Sequence, residues 1–321
     1  QPFKIMEKER RRGTIAMRMR LSLKYDDQTN LAVYHWYQPE TKPQAVIHLS
    51  HGMAEHILRY DDFAAFLADN GFYVIGHDHV AHGESVSDPS EIGIIKDADF
   101  MQTIINGMKL VYDESLEIFP ELPRFLFSHS MGAMAAERYC ELFPNDFKKV
   151  VLSGADIGSL KYGFLKSLTK FMMWFKQPTS TSQMLHRLTL GAFDQKFRNE
   201  YPRHGWLSTD KTVVIAYDCN PFCGIQFPIN YFNSLARMLL KANSKKELKN
   251  ISKKTEFLLI SGDQDPVTNK AKAVQKRLKR YRKFKIDTTT IIYPKARHEC
   301  LNEEVSIKNQ VYQDLLAFFQ N

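Results

Sequence analysis

The stretch Arg124-Phe-Leu-Phe-Ser-His-Ser130-Met-Gly-Ala-Met-Ala-Ala136 decides how this chain is read. After Pro123 its first residues form a short apolar run of the kind that makes a buried strand. From Met131 on, small residues, methionine and the Glu137-Arg138 pair favour helix until Pro144 stops it. Ser130 stands at the junction, in Ser128-His-Ser-Met-Gly132, a near-match to G-x-S-x-G. In that pattern a sharp strand-to-helix turn holds a serine hydroxyl out of the sheet. The turn brings the two backbones so close that a bulky side chain two positions either side of the serine collides. Gly132 meets that demand, while Ser128 places a hydroxymethyl where hydrogen is usual. A serine before a helix also serves as a plain N-cap, so the rest of the chain must decide between the two.

Upstream, a charged lead-in over residues 1–20 precedes two β-like segments, 17–25 and 31–37, joined by an Asp26-Asp-Gln28 turn. Residues 45–49 read as a buried central strand running into Ser50-His-Gly-Met-Ala-Glu-His56. A helix over 60–69 ends at Asn70-Gly71, and a strand over 72–75 leads to Gly76-His-Asp-His-Val-Ala-His-Gly-Glu-Ser85. A long helix over 97–119 is closed by Pro120, and 149–153 is another strand. From Asp156 the strand signal stops, and helical, Met-rich and aromatic stretches such as Phe171-Met-Met-Trp-Phe175 take over. Strands return at 257–261 and 289–293, before an amphipathic helix over 303–319 with Val311, Leu315 and Phe318/Phe319 on one face. The alternation predicts an α/β fold, its mostly parallel central sheet covered by helices on both faces. Residues 1–155 and 256–321 are expected to form the core, and 156–255 a helical cap inserted between its strands.

A serine hydroxyl is a poor nucleophile until a base takes its proton and a third group orients that base. On an α/β-hydrolase sheet the order along the chain is serine, acid, histidine. After Ser130 come only His186, His204 and His298, and the first two fall in the expected cap. His298 follows a strand by the short loop Pro294-Lys-Ala-Arg297, where a base leaning over the sheet edge belongs. The acid should follow the preceding strand, in Ser261-Gly-Asp-Gln-Asp265. Gly262 permits a tight turn there; Asp265 is favoured over Asp263, which lies nearer the turn and has a role in capping it. Two backbone N–H groups must meet the oxyanion, and removing one such donor elsewhere has cost about 2.7–4 kcal/mol. Met131, after the serine, supplies one, and Met53, in the loop after the early strand, supplies the other.

His51-Gly-Met-Ala-Glu-His56, Asp78-His-Val-Ala-His-Gly-Glu-Ser85, Ser128-His-Ser-Met-Gly132, Ser261-Gly-Asp-Gln-Asp265 and His298 together resemble the monoacylglycerol lipase and lysophospholipase family of α/β-hydrolases, a serine aminopeptidase S33-type group. The motifs run in the family's order from about residue 45 to 300. The resemblance implies Ser130 as nucleophile, Asp265 as acid, His298 as base, Met53 and Met131 as oxyanion donors, and a mobile cap that admits a single acyl chain. Its expected activity is hydrolysis of the carboxylic ester of a lysophospholipid or monoacylglycerol, through an acyl-enzyme on Ser130. A peptidase or iminopeptidase, a general carboxylesterase and a non-catalytic ligand-binding member of the fold are the alternatives.

His77, His79 and His82 with Asp78 and Glu84 invite a metal reading. Hydrogen-bond bracing of the loop by His82 and Asp78 is the preferred reading, and no metal is expected. No G-x-G-x-x-G follows a strand, so no dinucleotide or other cofactor is expected. The net charge of +8 concentrates in 4–20, 241–254 and 270–285. It reads either as solvated faces or as attraction to an anionic membrane surface at the periphery; no nucleic-acid motif accompanies it. Cys140, Cys219, Cys223 and Cys300 are too few and scattered for a disulfide scaffold. Free thiols in a reducing, cytoplasmic compartment are expected.

Overall fold

The computed structural model describes residues 4–10, 15–95, 99–201, 203–242 and 244–321. Among them nine strands form one sheet: β1 (Lys4–Arg10), β2 (Met17–Lys24), β3 (Asn30–Tyr37), β4 (Val46–Ser50), β5 (Tyr73–His77), β6 (Arg124–His129), β7 (Lys149–Ser153), β8 (Glu256–Gly262) and β9 (Thr288–Tyr293). Their spatial order is β1-β2-β3-β5-β4-β6-β7-β8-β9. Strands β1, β2, β3 and β5 pair antiparallel, and from β5 across β4 to β9 every pairing is parallel. Part of the lead-in is therefore a strand, β1. Its run Lys-Ile-Met-Glu-Lys-Glu-Arg carries the charges that protect a sheet edge from further pairing, and so lacks the apolar alternation by which strands are found.

The helices are α1 (Asp61–Asp69), α2 (Phe100–Ile118), α3 (Met131–Leu142), α4 (Leu160–Met172), α5 (Gln183–Leu188), α6 (Gly191–Phe197), α7 (Lys211–Cys219), α8 (Ile229–Ala242), α9 (Lys245–Leu248), α10 (Lys272–Lys283) and α11 (Val305–Gln320). The expected start of the long helix at residue 97 lies outside the described residues. Period-two alternation divides the central strands between two cores. Phe125, Phe127, Val151 and Leu258 join α1 and α11 on one face. Leu126, Val150, Leu152 and Leu259 join α2, α3 and α10 on the other. Phe127 meets Phe63 with ring centroids 5.3 Å apart, and Phe125 stacks on Phe319 at 5.7 Å. Both neighbours of β4 come later in the chain, so strand order reverses there. In such open sheets the crevice at the carboxyl ends of the strands, beside the reversal, is where sites form.

Between β7 and β8 the described residues contain helices α4 to α9 and no strand of the sheet. An isolated bridge between Thr181 and Pro228 closes an excursion holding α5, α6 and α7. Beyond it, α8 buries Tyr231, Phe232 and Leu239 in the same core as α2 and α3. The start of the insertion is clamped by Arg277, buried on α10. Its guanidinium donates to Glu137 of α3 at 3.0 and 3.2 Å, to the Ala155 carbonyl at 2.9 Å and to the Asp156 carbonyl at 2.5 Å. Tyr281 adds an O–H to Glu137 at 2.8 Å.

Removing one partner of a buried pair leaves the other charged and unsatisfied, at a cost of about 3–5 kcal/mol. Arg277→Ala is accordingly expected to lower the urea midpoint by that equivalent, and an unchanged midpoint would contradict the clamp. A second prediction concerns acid. His35, His48, His51, His77, His79, His82 and His129 are all buried. Burial lowers each imidazole, His35 and His82 to about 4, His48 and His77 to about 3, and His51, His79 and His129 well below 6.5. The unfolded chain takes up these protons near the ordinary imidazole value of 6.5, the folded chain only at about 4 or below. This stability is complete above pH 6.5 and drains as pH falls towards the folded values. Burial raises Asp78 to about 7, Glu141 to about 9, and Glu55 and Glu114 in the same direction; these and His298, also raised, oppose the trend, while His56, lowered to about 4, and Glu299, lowered by Arg59, add to it. The urea midpoint should fall steadily from pH 6.5 to about 4; a flat profile would contradict this.

Candidate active site

Ser130 leaves β6 and opens α3 with φ 52° and ψ −118°, a left-handed conformation that side chains other than glycine avoid. Its own N–H donates to the Ser153 carbonyl at 2.8 Å, and its carbonyl accepts from the Met134 N–H at 3.0 Å. Although Ser130 occupies the N-cap position, its side chain makes no cap bond. The turn explains the small flanks. A Cβ on Gly132 would lie 2.3 Å from the His51 carbonyl oxygen and 2.6 Å from that of Ser50. Ser128 is accommodated because its hydroxyl donates across to the Val151 carbonyl of β7 at 2.7 Å.

The Ser130 Oγ instead lies 2.9 Å from Nε2 of His298, whose Nδ1 is 3.1 Å from Oδ2 of Asp265. Asp265 is fully buried, and its Oδ1 accepts the Val267 N–H at 2.8 Å. Asp263 is half-exposed and ties down the following loop by accepting the Lys295 N–H at 2.8 Å. Gly262 contributes room rather than a turn conformation: a Cβ there would sit 2.1 Å from the Ala296 carbonyl oxygen, on the loop that carries His298. Burial by itself lowers the His298 imidazole. The Asp265 carboxylate and its hydrogen bond, with Glu299 and Glu55 behind them, outweigh burial, and the net shift is upward from 6.5. Such a chain can take a proton from the hydroxyl while holding the resulting imidazolium beside a carboxylate. His186 and His204 take no part; His204 pairs with Asp218 within the insertion.

Met53 and Met131 line the same cavity as Ser130. The Met131 N–H is in the first turn of α3, where a helix has no acceptor of its own to offer. The Met53 loop is fixed from below by Glu55, which accepts the Gly52 N–H at 2.5 Å and the Tyr60 O–H at 2.8 Å. From above, Tyr217 O–H and Gly224 N–H donate to the Ala54 carbonyl at 2.8 and 3.0 Å. Two residues not singled out in the sequence connect this loop to the segment that carries His298. Arg59 donates to Glu55 at 2.6 Å and, through both terminal nitrogens, to Glu299 at 2.6 Å. Burial raises and Arg59 lowers the Glu299 carboxyl; the guanidinium wins and Glu299 stays ionised. Glu55 and Arg59 are four apart, a signal of a pair, but the 240-residue reach to Glu299 left none. Residues between β7 and β8 also hold this segment: His298 N–H donates to the Trp206 carbonyl at 3.3 Å, and Glu299 N–H to that of Leu207 at 2.8 Å.

Above Ser130 lies a cavity of about 400 Å³ walled largely by apolar side chains, among them Met134, Leu165, Leu168, Phe193, Trp206 and Leu235. The histidine-rich loops beside it are spent on bracing. The His51 Nε2 accepts the His79 N–H at 3.0 Å, so its Nδ1–H donates to the Gly52 carbonyl at 2.8 Å. Asp78 accepts from Ile57 N–H at 2.7 Å and Glu84 N–H at 2.8 Å, and His82 Nδ1 lies 3.0 Å from the Val80 carbonyl. Among the described residues no group of His, Cys, Asp and Glu is arranged to hold a metal.

The model of the family Hydrolase_4, serine aminopeptidase, S33, matches residues 41–305. Human monoglyceride lipase is 28% identical over 285 residues, covering 87% of this chain and 84% of that protein. The monoacylglycerol lipase of Mycolicibacterium smegmatis is 25% identical over 272 residues, covering 84% and 87%. Among solved structures, a thermostable carboxyl esterase from Bacillus coagulans in complex with glycerol superposes with a TM-score of 0.87 at 23% identity, over 94% of this chain and 98% of that one. A soluble variant of monoglyceride lipase from Saccharomyces cerevisiae, in complex with a substrate analogue, gives 0.71 at 17% identity, over 92% and 93%. At those identities the two structures speak for the fold alone. The chain belongs to the serine aminopeptidase S33 family, as a monoacylglycerol lipase-like α/β-hydrolase.

Proposed function

We propose that the protein hydrolyses the carboxylic ester of a monoacyl lipid, a monoacylglycerol or lysophospholipid, through an acyl-enzyme on Ser130. The observation that carries this reading is the apolar cavity standing directly over the Ser130–His298–Asp265 chain. Ser130 Oγ attacks the acyl carbon while His298 Nε2 takes its proton, and the Met53 and Met131 N–H groups receive the developing oxyanion. His298 then gives the proton to the departing alcohol oxygen as the ester bond breaks. A water molecule, deprotonated by the same imidazole, cleaves the acyl-serine and restores the hydroxyl. The acyl chain occupies the cavity, each buried CH₂ contributing roughly 0.8 kcal/mol. The span 156–255 acts as the cap, with α4 to α7 over the serine.

An aminopeptidase would need a carboxylate free to take a substrate amine. The acids lining the cavity are Glu55, Asp156 and Glu299. Glu55 and Glu299 are paired with Arg59, and Asp156 with Lys161, the Tyr162 hydroxyl and the Ile157 N–H. That commitment favours an uncharged acyl group. The reading also includes delivery of substrate from an anionic lipid surface, and a reducing, cytoplasmic setting, which the free thiols Cys140, Cys219, Cys223 and Cys300 support. No described helix is long and apolar enough to cross a membrane.

Turnover of short and long p-nitrophenyl esters, a monoacylglycerol, a lysophospholipid and an aminoacyl anilide tests the reading. Long-chain monoacyl esters should give the highest kcat/KM, and every activity should vanish in Ser130→Ala; preference for the anilide would overturn it. Asp265→Asn should cost roughly 10³–10⁴ in kcat, and His298→Ala should abolish turnover with the urea midpoint retained. Because His298 must be neutral to accept the serine proton and its shift is upward, the acid limb of kcat/KM should lie above pH 6.5. A limb below that value would contradict the Asp265 pairing.

A further inference from the structure

The wall over Ser130 is largely apolar, and the hydrogen-bond donors set into it divide into those already spent and those not. Tyr162 donates to Asp156 at 2.6 Å, Tyr217 to the Ala54 carbonyl at 2.8 Å and Thr189 to the Leu185 carbonyl at 2.7 Å. Trp206 and Tyr231 line the same cavity and are 5% and 0% exposed. The indole N–H of the one and the hydroxyl of the other meet no partner among the described residues. A buried donor without an acceptor costs its whole desolvation, so each such group calls for an explanation. The two stand in different places. Tyr231, on α8, sits among Phe100 and Phe227, with ring centroids 4.9 and 4.3 Å away. Trp206 stands at the base: its carbonyl accepts the His298 N–H at 3.3 Å, and its ring centroid lies 5.1 Å from that of the imidazole. Its segment is held firmly, by Arg297 donating to the Gly205 and Ser208 carbonyls at 2.5 and 3.2 Å and by the Ser208 hydroxyl donating to the Asn302 carbonyl at 2.8 Å.

Chemistry says what the indole meets. His298 returns its proton to the departing alcohol oxygen, which places that oxygen within about 2.6–3.2 Å of Nε2. The atoms of the alcohol next to it then lie beside the ring that flanks the imidazole. An indole N–H donates and never accepts, so what it recognises there is an oxygen. In an ester of a vicinal diol, a free hydroxyl stands on the carbon beside the one that carries the ester. Monoacylglycerols and lysophospholipids both have such a hydroxyl; a simple alkyl ester, or a lipid acylated at both positions, does not. We propose that Trp206 donates its N–H to the free hydroxyl beside the scissile ester, so that the site selects monoesters of vicinal diols. The N–H is closed to solvent, so the indole turns towards the hydroxyl as substrate enters. This rests on the monoacyl-ester reading and names the group by which the alcohol is recognised.

One acyl chain esterified to a primary hydroxyl of 1,2-propanediol, of 1,3-propanediol and of 1-propanol tests this. In the unaltered protein, kcat/KM for the 1,2-propanediol ester should exceed the other two about tenfold or more. Trp206→Phe keeps a ring against His298 and deletes the N–H; there the ratio of the 1,2-propanediol to the 1-propanol ester should fall to about one. Tyr231→Phe, which removes the other unpartnered donor, should keep the unaltered protein's ratio. Equal turnover of the three esters by the unaltered protein would overturn the proposal, as would a preference that survives Trp206→Phe or is lost in Tyr231→Phe. A second measurement does not need an active variant. The three tryptophans, Trp36, Trp174 and Trp206, give three indole N–H resonances in the nitrogen-15-labelled protein, assigned with Trp36→Phe and Trp174→Phe. An alkylglycerol ether, which has no ester to cleave, should move the Trp206 resonance downfield, and an alkyl propyl ether should not. No shift with the glycerol ether, or the same shift with both, would overturn the proposal. An unmoved indole with ester turnover intact defeats the hydroxyl contact alone; a moved indole without turnover defeats the hydrolytic reading alone.

Discussion

A hydroxyl can be presented to an imidazole above a sheet only if the backbone beneath it is bent into a conformation that an L-residue resists. Ser130 is held at φ 52°, ψ −118°, a strain on the order of 1–3 kcal/mol, and its surroundings are arranged to enforce it. Strand β6 lies between β4 and β7 in parallel register, so the turn is anchored on both sides. Gly132 lets α3 pass against the carbonyls of Ser50 and His51, and Ser128 bonds to β7 rather than pushing away from it. The serine, acid and base loops all leave the carboxyl edge of that sheet. Three side chains distant in sequence meet because three parallel strands end together.

Charge complements that geometry. Arg59 lies between Glu55, below the Met53 loop, and Glu299, next to His298. A buried guanidinium with two carboxylates is stable only while all three stay in contact, so the two loops that must face each other across an ester are fixed by one group. The cavity above is apolar, which strengthens every such interaction by excluding water. Polar groups under the serine and apolar groups over it give one site a rigid floor and an oily wall.

The sheet and the three side chains that meet above it were legible in the sequence because each is signalled locally: Ser130 by its flanking Gly132, Asp265 and His298 by their places just after strands. Other features were not. Strand β1, Lys-Ile-Met-Glu-Lys-Glu-Arg, has a sequence without apolar alternation. Arg277 and Glu299 act through partners 140 and 240 residues away, and no spacing encodes that. The run Phe171-Met-Met-Trp-Phe175 was visible, but composition alone assigns such residues to a core. Only the packing of Leu165 and Leu168 inward shows that Phe171, Trp174 and Phe175 remain outside.

The central claim is that Ser130 is made nucleophilic by His298. Labelling the folded protein with a fluorophosphonate and mapping the adduct by peptide mass spectrometry tests it directly. The account predicts a single adduct on Ser130, formed far more slowly in His298→Ala and absent in Ser130→Ala. An adduct on another residue, or labelling of Ser130 at an undiminished rate without the imidazole, would contradict it.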